Sequence, residues 1–70
     1  MSVAFRIELE QEIDGRWIAE VVELPGVLAY GATQEHAIAQ VQALALRVVA
    51  DQLEHDQVGR EFLDISFAAA

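Results

Sequence analysis

Residues 3–10, VAFRIELE, alternate without a break: Val3, Phe5, Ile7 and Leu9 fall on one side and Ala4, Arg6, Glu8 and Glu10 on the other. A period of two predicts a strand with one buried and one wet face. Asp14-Gly15 follows, a pair that tolerates the positive φ of a tight turn, and RWIAEVV at 16–22 reads as the returning strand. The register has two solutions, because a one-residue slip sends every side chain to the opposite face. A two-residue loop pairs Glu12 with Trp17 and puts Trp17, Ala19 and Val21 among the acids. A three-residue loop with a bulge pairs Ile13 with Trp17, aligns Trp17, Ala19 and Val21 with Leu9, Ile7 and Phe5, and sets Glu10 opposite Glu20. The second is expected, since it takes the largest side chain into the core.

ELPGVLAYGATQEHA, residues 23–37, holds the only proline and two of the four glycines. Pro25 lacks an amide hydrogen and ends the second strand's ladder, and Gly26 allows the turn into a third strand, VLAYG, ending at Gly31. Thr33 is placed as an N-cap, with Glu35 in the first helical turn where a carboxylate suits the dipole. Nothing breaks a helix from Gln34 to about Gln57, and Gly59 stands where a left-handed C-terminal residue belongs. Such a helix is about 36 Å long. Strands of this length span only about 25 Å, so its last turns should overhang the sheet.

Ile38, Val41, Leu44, Ala45 and Val48 recur at helical spacing and are expected on the sheet. Leu46, Val49, Ala50 and Leu53 lie partly round the other side, a surface expected to meet another chain. EFLDISF, residues 61–67, is read as a fourth strand with Leu63, Ile65 and Phe67 on one face. The chain is thus expected to be one α+β domain over residues 1–70, in the order β-β-β-α-β, with a sheet led by an antiparallel hairpin and one long helix packed on one face.

Seventy residues leave no room for a second core, and a chain this short buries only about 60% of its unfolded surface. It has no cysteine for a disulfide or thiolate site, and 54% of it is hydrophobic, so burial in a homodimer or larger assembly is expected. No apolar run approaches a membrane span and no secretory leader is visible, which makes a cytoplasmic location the expectation. Twelve acids face four arginines and no lysine, a net charge of −8. Without clustered cations, direct binding to nucleic acid is not expected. A basic protein partner suits the charge, although acidity also serves solubility alone.

The residues offer little chemistry. His36 and His55 are separated by about 28 Å along one helix and cannot share a metal. Asp51 and His55, four residues apart, make half a site at most. Ser2 is terminal, Ser66 lies on an outer strand face, Thr33 is used as a cap and Tyr30 has no activating base. Glu8, Glu10 and Glu12 alternate as exposed acids do, and no residues are present to hold phosphates beside them. No enzyme activity, cofactor or metal is expected.

Three features together resemble the HicB-like antitoxin family: a first strand carrying alternating acids, then Asp14-Gly15-x-Trp17-x-Ala19, then Leu24-Pro25-Gly26 with Gly31, Thr33, Glu35 and Ala37. The likeness runs over roughly residues 3–50. It implies a partial ribonuclease H-like fold lacking the catalytic carboxylates. It also implies a partner, a small basic HicA-like toxin that cleaves messenger RNA, neutralised when its cationic surface is covered. Glu8, Glu10, Glu20 and Glu23 are the expected contacts. His36 and Ala32 stand where family members more often carry acids. The family usually continues into a C-terminal DNA-binding module, and these 70 residues end with the fourth strand. The alternative is an orphan HicB-like domain that assembles with itself and has no toxin partner.

Overall fold

Alternation along the first nine-residue stretch builds β1 (Val3–Gln11), which returns as β2 (Trp17–Val21). These are followed by β3 (Leu28–Gly31), α1 (Gln34–His55), a single 3-10 turn (Arg60–Leu63) and β4 (Ile65–Ala69). The computed structural model describes residues 2–55 and 60–69. The four strands form one sheet in the order β3-β2-β1-β4. β1, β2 and β3 are antiparallel neighbours, whereas β4 lies parallel to β1, so the sheet is mixed. The helix between β3 and β4 carries the chain from one edge of the sheet to the other.

The hairpin faces as expected but pairs two positions away. Trp17, Ala19 and Val21 share the core face with Leu9 and Ile7, yet Trp17 lies opposite Gln11 rather than Ile13. Glu20 lies opposite Glu8, and Glu10 opposite Ile18. Gly15 explains the shift. Its φ of +93° makes it the last residue of a three-residue loop, Ile13-Asp14-Gly15, closed by the Glu12 amide donating to the Arg16 carbonyl at 2.7 Å. Ile13 is left fully exposed. Between β2 and β3, Pro25-Gly26 forms the expected turn, with the Val27 amide donating to the Leu24 carbonyl at 3.0 Å and Gly26 at φ +84°.

Thr33 caps α1: its Oγ1 accepts from the His36 amide at 3.1 Å, and its carbonyl accepts from Ala37. Gly31 lets the helix start press onto β3. A Cβ there would lie 2.9 Å from the Ala37 Cα and from the His36 carbonyl carbon. From this seat α1 buries Ala37, Val41, Ala45 and Val49 against Phe5, Ile7, Ala19 and Val21. Each four-residue step turns the stripe by about 40°, so the buried side at Val49 has rotated by about 120° from that at Ala37.

That rotation corrects one placement. Val49, expected on the outward side, is a core residue at 3% exposure. Leu46, Ala50 and Leu53 are exposed, as expected. Leu53 continues the buried stripe by one further step, and its exposure marks the overhang. The second correction is β4. Residues expected to begin that strand form the 3-10 turn, which puts Leu63 in solvent at 76% exposure and directs Phe62 to the core instead. Gln57 and Gly59, the expected helix end and cap, lie outside the described residues.

Gly31→Ala should destabilise the domain by about 1–3 kcal/mol in urea unfolding, because the new methyl meets helix backbone that cannot rotate away. Thr33→Ala should remove about 1 kcal/mol. An unchanged midpoint for Gly31→Ala would contradict the tight seating of α1.

Candidate partner-binding face

With α1 on one side, the opposite face of the sheet has no covering layer among the described residues. It presents Arg6, Glu8 and Glu10 from β1, Ile18 and Glu20 from β2, and Leu28 and Tyr30 from β3. The register ties them into rows. Glu8, Glu20 and Leu28 run across the sheet, and beside them Glu10, Ile18 and Tyr30. Glu8, Glu10, Glu20, Ile18 and Leu9 line a shallow open depression at the centre. Leu28 and Tyr30 remain 38% and 42% exposed at its border.

The charges on this face are unbalanced, because its two cations are engaged at the margins. The Arg6 Nε donates to Glu23 Oε2 at 2.9 Å while the Arg6 backbone amide donates to Oε1 at 2.8 Å. Arg16 holds Asp14 through its backbone amide and its Nε, and its guanidinium lies 4.7 Å from the centre of the Tyr30 ring. No ion pair to Glu8, Glu10 or Glu20 forms among the described residues. Like charges directly opposite on neighbouring strands are destabilising, so the Glu8–Glu20 pair is a local strain that a cation would relieve.

Of the four acids picked out in the sequence, three therefore meet and one does not. Glu8, Glu10 and Glu20 share the depression. Glu23 is drawn to Arg6, where it ties the turn after β2 to β1. Its carboxyl titrates below its ordinary value, chiefly because the Arg6 amide donates to it and secondarily because the guanidinium does. Asp14 is likewise lowered by the Arg16 amide, with smaller help from the guanidinium. Sequence reasoning missed Ile18, Leu28 and Tyr30. Their signal was present in the even numbering that Ile18 shares with Glu20, and it needed the β2–β3 pairing to be read.

Elsewhere the described residues hold little chemistry. His55 Nδ1 lies 3.0 Å from Asp51 Oδ1, both exposed, and no group of three or more potential metal ligands assembles among the described residues. No helix is long and apolar enough to cross a membrane. In comparisons with protein-family models, curated proteins and solved structures, nothing matches this chain.

Two outcomes follow for the acids. Glu20→Gln should raise stability by roughly 0.2–1 kcal/mol by removing the like-charge pair, measured by urea unfolding. Glu23 behaves oppositely. A lowered carboxyl contributes stability that is present above its ordinary value near 4.5 and is lost as pH falls through the folded value. Wild type should therefore melt above Glu23→Gln at neutral pH, and the gap should close on acidification below about pH 4. A gap that widened with acid would contradict the Arg6–Glu23 clamp.

Proposed function

We propose that this chain is a non-catalytic protein-binding module of the HicB-like kind, which neutralises a small basic HicA-like ribonuclease toxin by covering its cationic surface. The observation that carries the proposal is the bare outer face, where Glu8, Glu10 and Glu20 lie beside Ile18, Leu28 and Tyr30 and none of the three acids has an ion-pair partner among the described residues. A basic partner would neutralise the opposed pair and cover the apolar border in one step. Complementary potentials of this kind speed encounter, and the acidic face would compete with RNA for the toxin's cationic surface. The path of the chain supports the same reading. Three antiparallel strands, a helix across one face and a fourth strand parallel to the first are what a partial ribonuclease H-like domain requires. A cytoplasmic location follows from a partner that acts on messenger RNA.

The second reading, an orphan domain that assembles only with itself, is favoured by exposed Leu46 and Leu53 on the back of α1. A short basic reading frame beside the gene distinguishes the two. Where that frame exists, its product should co-purify with the chain and lose its RNA cleavage. Reversing Glu8, Glu10 and Glu20 to Lys should weaken binding by more than about tenfold and flatten its salt dependence. Equal binding by wild type and the triple variant would reject the face.

A further inference from the structure

Among the described residues, the edge formed by β4 carries none of the devices that keep sheet edges apart. Natural edges are blunted by charges, prolines, bulges or a covering element. Ile-Ser-Phe-Ala-Ala of β4 has no charge and no proline, and β1 is its only strand neighbour among the described residues. The core is also thin on this side. α1 lies closest to β2 and β3, and Ile65, Phe67 and Phe62 are only partly buried.

The pairing with β1 shows which backbone groups are unused. The Val3 amide donates to the Asp64 carbonyl at 2.8 Å, with Val3 beside Ile65 and Phe5 beside Phe67. In a parallel ladder this turns the groups of Asp64, Ser66 and Ala68 toward β1. The amides and carbonyls of Ile65, Phe67 and Ala69 therefore point out of the sheet edge.

We propose that this edge binds a second copy of the same chain, β4 against β4 in antiparallel pairing about a two-fold axis at Phe67. In that register Phe67 lies opposite its own copy and Ile65 opposite Ala69, so all three outward-facing residues meet outward-facing residues. About six backbone hydrogen bonds form, and none requires rearrangement within the chain. Side chains agree with the backbone. Phe67 packs against Phe5 with ring centres 5.5 Å apart and the rings tilted by 43°, so the two-fold continues an aromatic row across the joint, while small Ser66 and Ala68 face each other on the outer side.

Charge favours a second copy here. A chain of net charge −8 repels itself wherever acids are exposed, and the outer face and hairpin carry them. β4 is neutral, and the two Asp64 carboxylates would stand about 20 Å apart, beyond the screening length at physiological salt. The joined sheet has eight strands with both helices on one side. Both outer faces then share the other side, their β1 strands about 14 Å apart. A dimer thus presents two acidic sites in one plane without covering either.

Sedimentation velocity of the 70-residue chain at micromolar concentrations tests this, read with far-UV circular dichroism to confirm folding. Wild type should be a dimer. Ser66→Lys with Ala68→Lys sets ammonium groups opposite each other on both sides of the axis. Ala69→Pro removes an amide hydrogen that β1 does not use. Each should raise the dissociation constant at least about tenfold with the fold intact. Leu46→Lys with Leu53→Lys, on the back of α1, should leave the dimer unchanged. A monomeric wild type, edge variants that dimerise normally, or a dimer lost only on changing Leu46 and Leu53 would each overturn the assignment.

Discussion

The close seat of α1 on β3 is the contact from which the remaining arrangement follows. It is made by absence of side chain: Gly31 has no Cβ to hold the helix off, and the backbone of His36 and Ala37 comes close to where that Cβ would lie. Ala19 and Ala29 keep the neighbouring sheet surface low. With its start pinned there, the helix lays its ridge of Ala37, Val41, Ala45 and Val49 over β2 and toward Phe5 and Ile7. A close seat lets small residues fill a core completely. It also limits how far one helix reaches, and both unfinished surfaces of the domain lie beyond that reach.

The outer face is unfinished by charge as well as by exposure. Glu8 and Glu20 are placed opposite each other by the pairing that brings Ile7 and Val21 together on the core side, so the like-charge contact is a consequence of burying those two. Arg6 and Arg16 do not relieve it, since each is held by another acid, Glu23 or Asp14. Departures from local consistency of this kind are expected where a surface has a use. The β4 side is unfinished differently, lacking cover and charge alike among the described residues, and the two surfaces therefore suit different partners.

Elements with a clean period were legible before any coordinates. The alternation from Val3 to Glu10, the Pro25-Gly26 turn and the Thr33 cap each depend on residues close in sequence, and each forms where expected. The misplacements share a cause, dependence on something distant. Val49 turns inward because the buried stripe advances in four-residue steps from Ala37 through Val41 and Ala45, and which stripe is buried is set by the sheet it meets. The loop begins one residue earlier because Gly15 takes its last position, moving every cross-strand pair by two. Leu63 leaves the core because the chain must turn after α1 before it can run parallel to β1. Glu23 looked equivalent to Glu8, Glu10 and Glu20 until the turn after β2 brought it to Arg6. Three acids of the site could be read from parity, whereas Ile18, Leu28 and Tyr30 required the sheet.

Amide chemical-shift mapping of the isotopically labelled chain during titration with the proposed basic toxin decides whether the bare face of the sheet or the helix receives it. The largest changes are expected at Glu8, Glu10, Ile18, Glu20, Leu28 and Tyr30, with α1 little affected. Changes concentrated at Leu46, Ala50 and Leu53, with the outer strands undisturbed, would put the partner on the helix instead.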